Sequence, residues 1–352
     1  ERGAAPRRPP RGPRGAMTAE AQGPAPTAPA EPTWRRRARK LAYAVVLLQL
    51  VAVASFLVMV LLGERSRLTL IALYLPRHPL LAGAALCALL APFTRRRLLV
   101  PLQLGVCLVV LFPVMGLQVS IPSRADGERI RLASYNVFFG RLGRAELADE
   151  IVAMNADIVL VQAANGSFGE LLRARLPEHT IHQEDELVLV TRYPLRSVEV
   201  PPKLDEDTPV MFMKYVVETP AGALRLYNVH PHSPRHALFS GEETQANIAN
   251  REAQIQAAFT AARSDVPPFI LAGDTNLPVL SSIARRHVGG VTDAFAEAGL
   301  GFGYTFPAKR PWMRIDRAFG SDGVRFVDAR VGPRGASDHL PLFVEFVLDP
   351  AR

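Results

Sequence analysis

The sequence predicts a layered α/β domain over residues 130–350, preceded by an N-terminal segment that crosses a membrane. Three observations predict it. From residue 130 onward, short β-branched runs alternate with helical stretches, which is the pattern of an α/β or α+β layered fold. Before residue 120, long apolar stretches without charge are separated by short basic clusters. Charge also divides the chain: residues 1–120 hold 16 Lys and Arg against 4 Asp and Glu, and the remainder holds 25 against 29. The net charge of +8 therefore belongs to the N-terminal part. A mildly acidic domain argues against a protein that grips duplex nucleic acid by a broad cationic face. Cys87 and Cys107 lie in apolar stretches and make neither a disulfide framework nor a zinc spacing.

In chain order, residues 1–34 are rich in Pro, Ala, Arg and Gly and read as a disordered leader, with Met17 a candidate start. Arg35, Arg36, Arg37, Arg39 and Lys40 then precede residues 41–62, which carry no charge. That stretch is long enough for a bilayer core of about 30 Å and longer than the roughly 7–15 residues of a signal-peptide core. Residues 68–75 are cut by Pro76 and Pro79 and lead into residues 80–93, read as one span that is either kinked at the prolines or short with an interfacial lead-in. Residues 98–119 read as a third span, with Pro101 and Pro113 satisfied by neighbouring helices. The clusters at 35–40 and 95–97 put eight positive charges at two boundaries, against Arg65, Arg67 and Arg77 at the other. Positive charge marks the cytoplasmic side, so three transmembrane helices would leave everything after residue 120 outside the cytoplasm. The expected organisation is a leader (1–34), a three-span segment (35–120), a polar linker (121–129) and a domain (130–350) in a multi-pass cell-membrane protein.

Within the domain, residues 131–137 alternate as a strand that carries Asn136 near its end, and residues 145–154 form an amphipathic helix. Residues 157–162, 187–191 and 210–217 are further strands, and 223–230 is another that ends in His230. Residues 247–262 form a helix with Ile248, Ile255 and Phe259 apolar. Residues 269–272 are a buried strand that stops at Gly273 and is followed by Asp274, Thr275 and Asn276. Residues 312–319 carry Asp316, and Ser337-Asp338-His339-Leu340-Pro341 precedes a closing strand at 342–347. Two apart in an extended chain, Asp274 and Asn276 share a face, and their hard oxygens suit Mg²⁺ and a phosphate ester. Each feature also has a bland reading. Gly-Asp-Thr-Asn and Asn136 could be Asx turns, His230 could open a solvated loop with His232 and His236, Asp316 could pair with Arg314 and Arg317, and Asp338-His339 could be a plain turn. Their joint occurrence at the ends of apolar strands points to one site. There is no Gly-x-Ser-x-Gly elbow, Walker loop or dinucleotide fingerprint.

Ser134-Tyr135-Asn136-Val137, Asn228-Val229-His230, Gly273-Asp274-Thr275-Asn276, Arg314-Ile315-Asp316-Arg317 and Ser337-Asp338-His339-Leu340-Pro341 follow the order of the endonuclease/exonuclease/phosphatase superfamily. The domain resembles that family over about residues 130–348, which implies a four-layer α/β/β/α sandwich with the site at one rim of two sheets. Three membrane helices ahead of it resemble the VanJ-type glycopeptide-resistance membrane proteins. The resemblance implies a phosphoesterase dependent on Mg²⁺ (or Mn²⁺). His339 would contact the phosphate with Asp316 orienting its imidazole, Asp274 would orient or deprotonate water, Asn276 would hold a phosphate oxygen and His230 would be a second donor. Asn136 and Asp338 would lie at the metal.

One position departs from the family. Its metal-binding glutamate follows the strand at 157–162, where this chain has Ala163. An inactivated variant, a natural pseudoenzyme and a site with relocated ligands all remain open, and nothing in the sequence brings Glu184, Asp185 or Glu186 to the metal. The expected function is a membrane-tethered phosphoesterase acting outside the cytoplasm on a phosphate or diphosphate ester, with a polyprenyl diphosphate or a phospholipid as candidate. A nuclease of the same fold is the alternative, disfavoured by topology and charge.

Overall fold

The computed structural model describes residues 31–120, 126–203, 209–241 and 243–349. Most of the expected leader and linker lies outside the described residues. The N-terminal segment comprises α1 (Thr33–Leu62), α2 (Arg67–Tyr74), α3 (His78–Leu90) and α4 (Leu99–Val109), then the two-residue strand β1 (Gln118–Val119). The domain follows as β2 (Ile130–Asn136), α5 (Arg144–Met154), β3 (Ile158–Gln162), α6 (Phe168–Arg175), β4 (Thr180–Glu184), β5 (Leu187–Thr191), β6 (Leu195–Glu199), β7 (Phe212–Thr219) and β8 (Gly222–Val229). The chain continues through α7 (Arg235–Phe239), α8 (Thr244–Ser264), β9 (Phe269–Asp274), α9 (Ser282–His287), β10 (Thr292–Asp293), α10 (Ala294–Ala298) and β11 (Leu300–Gly301). It closes with β12 (Asp316–Gly320), β13 (Val324–Val331) and β14 (Leu342–Leu348).

Two six-stranded sheets, ordered β13-β14-β2-β3-β5-β4 and β10-β12-β9-β8-β7-β6, face each other. Strand alternation builds the layers. In β3, Ile158 and Leu160 enter the core between the sheets, while Val159 and Val161 meet Leu147, Ile151 and Phe168 of α5 and α6 on the outer face. In the other sheet, Leu226 and Ile270 face inward, while Tyr227 and Leu271 pack against Ile248, Ile255 and Phe259 of α8. Being covered on both faces explains why β3, β5 and β9 are buried at every residue. Burying each of these Leu or Ile side chains contributes about 1.5–3 kcal/mol. The result is the expected four-layer sandwich. At one end of its core, Gln162 Nε2 donates to Asn228 Oδ1 at 2.7 Å, and Asn228 Nδ2 donates to the Val161 carbonyl at 2.9 Å, which fixes the sheets against each other.

The expectation of three membrane helices is corrected. Only α1, among the described residues, is long and apolar enough to span by itself. It leaves Leu48, Val51, Val58 and Leu61 exposed, unlike the core helix of a soluble bundle. The middle pair, Arg67–Tyr74 and His78–Thr94, is bent by 74° and would count as a span only if taken together. Between its halves Leu75 is extended and Pro76 offers no amide donor. The last apolar helix, Leu99–Val114, reaches roughly 24 Å at 1.5 Å per residue, short of a bilayer core. Pro113 sits in its terminal π-turn, where the missing N–H interrupts helical bonding.

This segment packs on the domain. The Glu64 carboxylate accepts from Ser281 Oγ, Ser282 Oγ and, at 2.9 Å, Ser282 N. Tyr74 Oη donates to the Asn276 carbonyl at 2.6 Å, and the buried Arg251 donates to both Tyr74 Oη at 2.6 Å and that carbonyl at 3.0 Å. Trp312 Nε1 donates to the Tyr74 carbonyl at 3.1 Å.

Candidate active site

Strand direction gathers the polar residues. The parallel pairs β2/β3 and β8/β9 put Asn136, Ala163, His230 and Asp274 at one rim of the two sheets. Gly273 has φ +153°, and a Cβ there would lie 2.0 Å from the Val229 carbonyl oxygen, so only glycine lets β9 approach β8 beside the site. Because β12 runs antiparallel to β9, Asp316 stands directly opposite Asp274. Two opposed carboxylates repel unless a cation joins them, and His339 does so. Its Nδ1 lies 2.9 Å from Asp316 Oδ2 and its Nε2 3.6 Å from Asp274 Oδ2. Ser337 holds this loop in place: its Oγ donates to the Asn136 carbonyl at 2.6 Å and accepts from His339 N at 3.1 Å. Burial alone would lower the His339 pKa, but Asp316 and Asp274 outweigh it and raise it to about 9.

Asp274 Oδ2 also accepts from Asn136 Nδ2 at 2.9 Å and faces His230 Nε2 at 3.7 Å. On the far side of that imidazole, Nδ1 meets Glu186 Oε1 at 2.7 Å. Burial pulls the His230 pKa down, and Glu186 with Asp274 raises it above the ordinary value. Two imidazoles, each backed by its own carboxylate, therefore flank Asp274 (Asp316 behind His339, Glu186 behind His230).

A cavity of about 800 Å³ opens over these groups and is lined by Asn136, Ala163, His230, Asp274, Asn276, Asp338 and His339 among others. Its walls are largely apolar, with Phe138, Phe139, Met211, Phe306 and Trp312 from the domain and Ile71, Tyr74 and Leu75 from the N-terminal segment.

Several expectations change. Asp274 and Asn276 do not share an extended face. Asn276 has φ +49° and its N–H donates to Asp274 Oδ1 at 2.8 Å, an Asx turn that bends the chain. Its Nδ2 donates to the Pro231 carbonyl at 2.9 Å. Residues 312–315 precede β12 rather than forming its start, and Arg314 and Arg317 pair with Asp293 instead of Asp316. His232 borders the cavity rather than lying in a solvated loop. The sequence reading gave Glu186 no role at the site. Its signal was the hairpin: β5 runs antiparallel to β3, so the turn before Leu187 lies at the rim where β3 ends.

The residues expected to hold Mg²⁺ (or Mn²⁺) do not fit a resident ion. Ala163 offers a methyl group, and the Asn136 oxygen accepts from Phe138 N at 3.0 Å. Asp338 Oδ2 accepts from Arg235 Nη2 at 3.0 Å. Asp274, Asp316 and His339 are the one group among the described residues with the composition of a metal site, with a ligand atom from each within 4.8 Å of the others. An ion there would compete with the proton that Asp316 and His339 share.

Comparison with known proteins agrees with this geometry. The endonuclease/exonuclease/phosphatase family matches residues 133–339. No curated protein matches the chain. Similar solved structures include an endonuclease/exonuclease/phosphatase from Bacteroides vulgatus, at 18% identity, with 63% of this chain and 100% of that chain covered and a TM-score of 0.52. A humanized D. rerio TDP2 matches at 19% identity, covering 62% of this chain and 98% of that one, with a TM-score of 0.50. The 3′ phosphatase NExo from Neisseria, bound to a product DNA hairpin, matches at 19% identity, covering 62% and 99%, with a TM-score of 0.50. At these identities the likeness is one of fold. A family match over more than half the sequence, on the sandwich that carries these strand ends, establishes that the chain belongs to the endonuclease/exonuclease/phosphatase family of phosphoester hydrolases.

Proposed function

We propose that the protein is a membrane-anchored phosphoester hydrolase whose substrate joins a phosphate or diphosphate to an apolar tail. The observation that carries this is the composition of one cavity: imidazoles and carboxylates at its floor, and aromatic and aliphatic walls completed by Ile71, Tyr74 and Leu75 of the segment that follows α1. Phe239 and Leu75 remain exposed beside it, which gives an apolar tail a route to a bilayer. A polyprenyl diphosphate and a phospholipid both have the required chemistry. On this reading the domain lies outside the cytoplasm, because the basic cluster at 35–40 marks the cytoplasmic end of α1.

Hydrolysis here is mostly positioning and neutralisation of oxygen charge. Protonated His339 directs Nε2–H at a phosphoryl oxygen. Asp274 orients the attacking water and accepts its proton as the water oxygen bonds phosphorus. The ester P–O bond breaks, and the leaving oxygen takes a proton from His230, whose ring Glu186 aims and whose pKa it raises. Asn136 holds Asp274 in position through its 2.9 Å amide bond.

The test is phosphate release by detergent-solubilised protein from a lipid diphosphate, a phosphatidic acid and a DNA 3′-phosphate, measured side by side. Release from the lipids is expected. Release confined to DNA would replace this reading with a DNA 3′-phosphatase.

A further inference from the structure

Position 163 is fixed at the edge of the cavity. Phe139 N donates to the Ala163 carbonyl at 2.6 Å, and Ala164 N donates to the Glu186 carbonyl at 3.0 Å, so a side chain there has one direction to take. What it offers is a methyl group. Of the two carboxylates that the resemblance would set against a divalent ion, Asp338 remains; its Oδ2 accepts from Arg235 Nη2 at 3.0 Å, and its buried Oδ1 has no hydrogen-bond partner among the described residues. The guanidinium lies over two rings, 5.8 Å from the centroid of Phe138 and 5.8 Å from that of Phe306. Phe306 in turn packs 4.7 Å from the imidazole of His339, so the guanidinium and the imidazole share one wall. Both line the cavity, and Arg235 Nε and Nη1 have no hydrogen-bond partner among the described residues.

Charge accounts for the exchange. Glu186, in the same cavity, is matched by the imidazole of His230 at 2.7 Å, which leaves Asp338 to be matched by a monovalent guanidinium. Guanidinium is also a planar fork suited to two phosphate oxygens. Arg141 brings a second guanidinium to the same wall, 5.1 Å from the Phe138 ring and 5.7 Å from that of Phe139.

We propose that Arg235 takes the place of the family's divalent ion: anchored by Asp338 and stacked on Phe138 and Phe306, it binds the phosphoryl oxygens, so phosphate recognition needs no metal. This rests on the hydrolase reading only for its catalytic consequence, since the binding claim stands by itself. The test titrates the full-length protein in detergent with inorganic phosphate, followed by calorimetry and ³¹P NMR, in chelator and then in Mn²⁺. Wild type should bind phosphate equally well in both. Arg235→Ala should weaken binding about 10–100-fold, the range for a lost charged hydrogen bond, and Arg235→Lys should lose less. Both variants should keep the wild-type unfolding temperature, because the side chain is half exposed. Ala163→Glu should introduce Mn²⁺ binding, read by EPR, that wild type lacks. Phosphate binding that appears only with Mn²⁺, or that is unchanged in Arg235→Ala, overturns the proposal. Chelator-resistant phosphate binding without hydrolysis of any ester would instead keep the Arg235 site and defeat the hydrolase reading.

Discussion

Replacing Asp316 by Asn tests the arrangement around His339 most sharply. The carboxylate lies 2.9 Å from Nδ1 and is buried with it. Two unit charges about 4 Å apart interact by about 4 kcal/mol at an effective dielectric near 20. At 1.36 kcal/mol per unit, that is about three pKa units. Asp274, 3.6 Å from Nε2, stays in place, so the imidazole should titrate near 6 rather than at about 9. At pH 7.5 roughly 30-fold less of it would be protonated, and the rate of ester hydrolysis should fall by that factor. The loss should be recovered by lowering the pH towards 5, which distinguishes lost charge from a damaged fold. The readouts are the pH–rate profile and the NMR titration of the His339 ring. Stability carries the same signature. A histidine raised above its unfolded value contributes fully below about pH 6.5, and that contribution is lost as pH rises through about 9. Wild type should therefore lose thermal stability over that window, and Asp316→Asn should not. An alkaline limb that stays near 9 in the variant would refute the ion-pair account.

Three further outcomes follow from single contacts. Glu186→Gln removes the charge 2.7 Å from His230 Nδ1, so the His230 ring should titrate at lower pH by NMR, and the rate at neutral pH should fall while the fold persists. Tyr74→Phe strips a donor from the Asn276 carbonyl and an acceptor from Arg251, with an expected loss of about 1–3 kcal/mol in denaturant unfolding. Gly273→Ala places a methyl group against the Val229 carbonyl oxygen, and the protein should be recovered unfolded or insoluble, as judged by circular dichroism.

Much of the sandwich was legible because its strands are buried on both faces. Residues 158–162, 187–191 and 269–274 are continuous apolar runs that stop at polar rim residues, and that pattern survives without any tertiary information. Strands with exposed faces were not seen. β4 and β6 carry His182, Gln183, Arg196 and Ser197, and their strand character comes from pairing with β5 and β7. The five strand-end motifs proved to be neighbours because β2/β3 and β8/β9 are parallel pairs, whose ends share a rim. Glu186 and Arg235 stayed hidden for the opposite reason. Glu186 lies in the turn between β4 and β5 and Arg235 opens the short helix α7, and the direction of each side chain depends on contacts, with His230 in one case and with Asp338, Phe138 and Phe306 in the other. The membrane segment was over-read, because hydropathy counts residues while Pro76 and Pro113 decide where a helix stays continuous.

Release of inorganic phosphate from a detergent-solubilised lipid diphosphate, compared between wild type and His339→Ala at pH 7.5, addresses the central claim most directly. Steady release by wild type and a loss of at least a hundredfold in the variant, about 3 kcal/mol of transition-state stabilisation, is the predicted result. Equal rates for the two proteins, or no release by wild type with chelator or with Mn²⁺, would contradict it.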